Sequence, residues 1–186
     1  TVQADEQRVN YARKGVASAS ASPISYWGPD KMIDGIVNRD AANKKDQSRW
    51  SSEAAAPAWV KIDLTEIRKF DEIKIAWENN KTRKFHIEMS DDDKTYQTIF
   101  TSEDIPEGHP MDTVIPLERE KFGRYIKITV DALIDGAYPS VSIYEVEVNG
   151  TKMVEDGIKE FRANYALGCD AKASVSPISY WGPDKM

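Results

Sequence analysis

Apolar and polar positions alternate one by one through much of this chain. Val60, Ile62 and Leu64 are separated by Lys61 and Asp63, and Ile73, Ile75 and Trp77 by Lys74 and Ala76. The same alternation places Phe85, Ile87 and Met89 on one face and His86 and Glu88 on the other. It returns at Ile126, Ile128 and Val130, and at Val146 and Val148. Shorter pieces lie at 95–100 and 114–117. Period two is the spacing of a half-buried strand. Turn residues punctuate these runs, as in Asp34-Gly35, Ser90 to Lys94 and Gly136-Ala137-Tyr138-Pro139. No long stretch repeats at the helical period. The pattern therefore predicts an all-β, antiparallel sandwich. Residues 36–49 are polar and read as an irregular loop, and residues 1–9 as an N-terminal tail.

A repeat changes the picture of the domains. SPISYWGPDKM at 22–32 recurs letter for letter at 176–186, and the match runs back to Asn10-Tyr11-Ala12 against Asn164-Tyr165-Ala166. Seventeen of the 23 positions from Asn10 to Met32 are identical after a shift of 154 residues. Solenoid repeats are roughly 20–50 residues long. A shift this long fits a whole domain and a linker. The expected organisation is a module at 10–150, a linker at 151–163, and at 164–186 the truncated start of a second, similar module.

Charge and cysteine content narrow the function. The formal net charge is −6 with acids and bases interspersed, so no basic stripe awaits a phosphate backbone and nucleic acid is not expected. No apolar run reaches the roughly 18 residues needed to cross a membrane. The single cysteine, Cys169, lies in the second copy, so the first module is not a disulfide scaffold. His86 and His109 stand far apart without a nearby thiol, which argues against zinc. No Ser/His/Asp arrangement of nucleophile, base and acid can be assembled from the sequence.

Several phrases in order resemble the discoidin, or coagulation-factor type C, domain, in its family 32 carbohydrate-binding branch. They are NYARKGVASAS, KMIDG, SRWSS at 48–52, PAWVKIDL at 57–64, FDEIKIAWENNKTRKFHIEMSDDDKTY at 70–96, GRYIKITV at 123–130 and SIYEVEVNG at 142–150. The resemblance implies a jelly-roll-like, galactose-binding-domain-like sandwich with ligand loops at one end. It also implies a structural Ca²⁺, held by the side chains of Asp34 and Glu145, the carbonyls of Lys31 and Tyr144, and Ser48. Asn38, Asp40 or Asp46 is expected to complete the shell of about six to eight oxygens.

For sugar the candidates are Tyr26, Trp27, Glu78, Asn79, Asn80, Arg83 and Tyr138. An aromatic face packs on the apolar side of a pyranose, and acceptors or donors take its hydroxyls. Two adjacent aromatics in a turn do not readily both point inward, so Tyr26 or Trp27 is expected to supply the platform. Glu78 would accept hydroxyls or an ammonium, or else be consumed in a salt bridge with Lys81 or Arg83. Galactose-binding relatives carry a histidine and a tryptophan where this chain has Ser51 and Ala54, which puts that sugar in doubt. Trp50, Trp59 and Trp77 read as packing residues.

The expected function is a non-catalytic module that attaches a larger secreted or cell-surface glycoside hydrolase to terminal sugars of glycans or polysaccharides, beside further modules of the same parent chain. The alternative is a protein- or phospholipid-binding adhesion module, with Tyr26-Trp27 as an apolar spike, although no basic collar accompanies it. A third, an enzyme domain, finds no support in the resemblance.

Overall fold

The computed structural model describes residues 5–154 apart from 22, 107 and 109. The second copy of the repeat, with Cys169, Tyr180 and Trp181, and His109 as well, lies outside the described residues. Among the described residues eight strands and three short 3₁₀ turns follow one another: β1 (Asp5–Asn10), β2 (Val16–Ala19), β3 (Trp50–Ser51), β4 (Ala58–Trp77), β5 (Thr82–Ser90), β6 (Gln97–Thr101), β7 (Asp112–Leu133) and β8 (Ser142–Val154). All the pairings are antiparallel.

Two long strands organise the rest. β4 and β7 pair along nearly their whole length, from Ala58 opposite Val130 to Ala76 opposite Asp112. The register breaks between Asp63 and Arg68 and again between Phe70 and Glu72. There both strands leave one layer and enter the other. The first half of β4 lies between β2 and the second half of β7, which continues to β5 and β6. The second half of β4 lies between β8 and the first half of β7, and β8 carries β1 and β3 on its far side. At the corner Thr65 has a φ of +69°, and its N–H donates to Asp63 Oδ1 at 2.8 Å. Arg124 grips both oxygens of Asp63, at 2.8 and 2.9 Å, and that pair holds the Asp63 carboxyl below its usual range.

The alternating residues meet between the layers. Val60, Ile62 and Leu64 and then Ile73, Ile75 and Trp77 are all buried, with Phe85, Ile87, Ile126, Ile128, Val130, Val146 and Val148. Trp50 and Trp77 are fully covered, whereas Trp59 stands half-buried on an outer face. The close packing leaves no room at Gly150, where a Cβ would come within 2.1 Å of the Lys69 carbonyl oxygen of β4.

The structure differs from the sequence expectation at the ends of the module. The segment read as a tail contains β1, and residues 151–154, read as linker, continue β8; the two pair from Asn10 opposite Asn149 to Asp5 opposite Val154. Both segments are largely polar and alternate weakly, so they carry no apolar signal. Backbone hydrogen bonds and ion pairs join them to the sheet, such as Arg8 to Asp71 at 2.6 Å. The runs read separately around 62 and 75, and around 115 and 128, are each one bent strand.

Candidate functional site

The loop that the sequence repeats is pinned to β3 by its backbone. Ile24 N–H donates to the Ser51 carbonyl at 2.8 Å, Ser51 N–H to the Trp27 carbonyl at 3.2 Å, and Pro23 bridges to Ser52. This fixes the direction of the two aromatics. Tyr26 is 48% exposed, while Trp27 is partly covered; their rings meet edge to face with centroids 5.1 Å apart. Beneath Trp27 lies the Arg49 guanidinium, 3.7 Å from the ring centroid. Of the two candidates for a stacking platform, Tyr26 is thus the more open, and one face of Trp27 is already occupied.

Arg49 was not among the residues singled out from the sequence, yet it joins the candidate loops. It is only 6% exposed. Its Nη1 donates to Ser142 Oγ at 2.7 Å and Ser51 Oγ at 3.3 Å, and stands 3.8 Å from Glu78 Oε1. Its Nε is buried without a partner. Glu78 opens the loop after β4, its N–H donating to the Ser142 carbonyl at 3.1 Å. Its Oε2 accepts from Asn79 Nδ2 at 2.5 Å, and Asn79 Oδ1 accepts from Lys81 N–H at 3.0 Å. Asn80 is half-buried on the same turn. The salt bridge considered for Glu78 exists, but with Arg49 rather than Lys81 or Arg83.

Between β7 and β8 the hydroxyl of Ser140 reaches the Ser52 carbonyl at 2.8 Å and Ser51 Oγ at 3.2 Å. Two residues earlier, Tyr138 is 78% exposed. Tyr26, Trp27, Glu78, Asn79 and the Tyr138 loop therefore share one end of the sandwich, around Arg49, Ser51 and Ser142. Arg83 turns to Asp104 at 3.3 Å and Asp135 at 3.9 Å, lining a cleft of about 400 Å³ with Ile105, Pro106 and Ile134.

The metal candidates form a second corner at the same end. Gly35 has a φ of +75°, the conformation that glycine adopts without strain, and its N–H donates to Glu145 Oε2 at 2.9 Å. Asp34 Oδ1 accepts from Ile36 N–H at 2.9 Å, and its other oxygen accepts from the Ser48 hydroxyl. Ser48 N–H donates to Asn38 Oδ1 at 2.8 Å, and Asn38 Nδ2 to the Asp46 carbonyl at 2.9 Å. Glu145 is 4% exposed, and its Oε1 has no partner. Burial, reinforced by the charge of Asp34 against the opposing Gly35 N–H and Arg13, pushes its carboxyl up to about 8. Lys31 lies in the 3₁₀ turn Pro29–Met32, and Tyr144 is buried beside Arg39.

A buried, unsatisfied carboxylate oxygen beside a second carboxylate and a hydroxyl is a donor set that suits a hard cation. Among the described residues no three His, Cys, Asp or Glu side chains cluster, so such a shell would need carbonyl oxygens. His86 points out of the sheet to Asp131 at 2.8 Å and Glu88 at 3.7 Å. No helix among the described residues is long and apolar enough to cross a membrane.

A family model, the F5/8 type C domain, matches residues 16–146, spanning both corners and nearly every strand. The chain belongs to the F5/8 type C domain family. This F5/8 type C domain is 23% identical over 143 residues to the polysaccharide lyase 8 family protein HylA of Enterococcus faecalis, covering 76% of this chain and 10% of that protein. The chain thus spans about a tenth of the length of that curated relative. Among solved structures it resembles chitosan-binding module 1 of a chitosanase/glucanase from Paenibacillus sp. IK-5, with a TM-score of 0.63 and 21% identity over 76% of this chain and 99% of that one. The family 32 module of C. perfringens NanJ, in complex with galactose, matches with a TM-score of 0.61 and 19% identity over 78% and 100%. Chitosan-binding module 2 from the same Paenibacillus enzyme, in complex with chitotriose, matches at 0.63 and 20% over 76% and 100%. These likenesses establish the β-sandwich fold.

Proposed function

We propose that this F5/8 type C domain is a non-catalytic carbohydrate-binding module. It would keep a larger extracellular glycan-degrading enzyme at its substrate, and the second copy of the repeat would begin another such module. The observation that carries the reading is the convergence at one end of the sandwich of an open aromatic, Tyr26, with a partly exposed carboxylate and amide, Glu78 and Asn79. An aromatic takes the C–H face of a sugar, and acceptors fix its hydroxyls. The structural neighbours in complex with galactose and with chitotriose support the same reading.

In this reading Tyr26, with Trp27 behind it, forms the platform, and Glu78, Asn79 and Asn80 grip the polar edge. Tyr138 flanks them on an adjoining loop, and Arg83 stands at the start of β5. So open a site implies a Kd near 0.1–1 mM, or about 4–5.5 kcal/mol. Tandem modules would raise the avidity where the linker lets both engage. Ca²⁺ at Asp34, Ser48 and Glu145 would stabilise the loops and take no part in chemistry.

A glycan array probed with the full chain, followed by calorimetric titration of the best sugar, tests the reading. Saturable binding weakened by Tyr26→Ala is expected. Binding confined to phosphatidylserine vesicles, or turnover of aryl glycosides, would replace it with an adhesion or an enzymatic function.

A further inference from the structure

We propose that Arg49 sets the charge preference of the sugar site, so that it takes uncharged sugars, whether hydroxyl or acetamido, and turns away cationic amino sugars. This rests on the sugar-binding reading above and goes beyond it. A carboxylate beside an aromatic would ordinarily invite an ammonium. At Glu78 that invitation has been answered from within. Arg49 is 94% buried, the complement of its 6% exposure, and a buried guanidinium must be compensated. Its acidic partner is Glu78, at 3.8 Å.

The guanidinium cannot step aside for a ligand. Trp27 covers its face at 3.7 Å, and the hydroxyls of Ser142 and Ser51 hold Nη1. An incoming ammonium at Glu78 would therefore meet a fixed positive charge a few ångströms behind the carboxylate, in a partly desolvated corner where charges are poorly screened. The hydroxyl or acetamide of an uncharged sugar bears no such penalty and can still donate to the Glu78 oxygens. The arginines on the elements flanking Glu78 already have carboxylates of their own. Arg83 is matched by Asp104 and Asp135, and Arg39 by Asp112 at 2.6 Å.

Three matched sugars in each of two series test the inference on the full chain: galactose, N-acetylgalactosamine and galactosamine, and glucose, N-acetylglucosamine and glucosamine. Titration at pH 6, where the amines are protonated, should show the better uncharged member of the binding series at least about tenfold tighter than the amine. Arg49→Met should shrink or invert that ratio, whereas Arg49→Lys, which keeps the charge but not the planar fork, should preserve its sign. Should Arg49→Met fail to fold, Glu78→Gln gives an independent reading. It unmasks the guanidinium, and glucuronate or galacturonate should then gain on the uncharged sugar by about tenfold. A wild-type site that binds the amine as tightly as, or more tightly than, its uncharged partner overturns the inference and leaves the sugar-binding reading intact. Unchanged ratios in both the Arg49→Met and Glu78→Gln variants overturn it too. If neither series binds at all while the array finds another glycan, the inference fails and the broader reading survives. If nothing binds anywhere, both fall.

Discussion

Two glutamates at the same end of the sandwich meet opposite fates. Glu145, on β8, is almost wholly buried, leaves one oxygen unpartnered and faces the charge of Asp34. Glu78, in the loop after β4, keeps part of its surface in water and has Arg49 and Asn79 on its two oxygens. The first corner carries a surplus of negative charge, and the second is nearly neutral. Burial that the charge of Arg13 only partly offsets leaves this carboxylate in want of a cation or a proton. Burial of an arginine behind a carboxylate removes that want. The difference separates a corner suited to metal from one suited to hydroxyl groups, although both would be described as acidic from the sequence.

Removing calcium should have the largest effect. A ligand that binds only the native state adds about 3–4 kcal/mol at 100–1,000 times its Kd. EDTA treatment of calcium-loaded protein should therefore lower the melting temperature by several degrees, and Asp34→Ala or Glu145→Gln should abolish the response. An unchanged transition on chelating protein verified to hold the metal would erase the contrast between the two glutamates.

The next effect, smaller, is a pH dependence of the calcium-free protein. The Glu145 carboxyl lies at about 8 in the folded chain, above its unfolded value of 4.5. The folded state then binds the extra proton, so the stability from this group is fully present below about 4.5 and is lost as pH rises through about 8. Urea midpoints measured between pH 5 and 9 in EDTA should fall with pH, and Glu145→Gln should flatten that slope. Calcium should flatten it as well, by supplying the charge that a proton otherwise neutralises. A wild-type midpoint that rises across this range would show that Glu145 is ionised in the metal-free fold, and the sign of the comparison would be wrong.

How much of this was legible beforehand follows from the kind of interaction involved. The core strands were readable because burial on one face imposes an apolar alternation, as at Val60, Ile62 and Leu64. β1 was not, because Asp5–Asn10 joins the sheet through backbone pairing and carries mostly polar side chains. The continuity of β4 through its corner was hidden by the register breaks and by the positive φ of Thr65. Asp34, Ser48 and Glu145 were reached through the family resemblance, and the structure brings Asp34 to Ser48 and Glu145 to Gly35. Arg49 was missed although it stands inside the SRWSS phrase. A charged residue beside a core tryptophan reads as one pointing to solvent, and only the fold shows Ser142 and Glu78, far along the chain, arriving around it. Arg83 was grouped with Glu78 as a sugar candidate, and the register shifts at the start of β5, between Thr82 and Phe85, leave it exposed and turned toward Asp104.

At the nearly neutral corner, Tyr26→Ala should weaken every bound sugar by roughly 10–30-fold with little change in melting temperature. Stacking that covers about 60–80 Å² of apolar sugar surface is worth some 1.5–2 kcal/mol at roughly 25 cal/mol per Å². Trp27→Ala should differ in kind. It uncovers the Arg49 guanidinium as well, so both binding and thermal stability should fall. Calorimetry and a thermal melt on the two variants separate a platform from a packing residue. Equal behaviour of the pair would show that the edge-to-face rings act as one unit.

The smallest expected effect is at Asn79. Its amide donates to Glu78 Oε2 at 2.5 Å, while its carbonyl oxygen accepts from Lys81 N–H at 3.0 Å, so one side chain both orients the carboxylate and closes the turn. A hydrogen bond of this sort contributes about 0.5–1.5 kcal/mol net. Asn79→Ala should therefore weaken the best sugar by about 2–12-fold. It removes no charge, so the ratio between uncharged and amino sugars should stay as in the parent, in contrast to the shift expected for Arg49→Met. Asn79→Asp sharpens the point: it adds a second carboxylate against Glu78, loses the donor, and should draw the site toward the cationic sugar. Affinities unchanged in Asn79→Ala would reduce this residue to a turn former and leave Arg49 alone to orient Glu78. A changed ratio would mean that orientation, and not only charge, decides which sugar the carboxylate accepts.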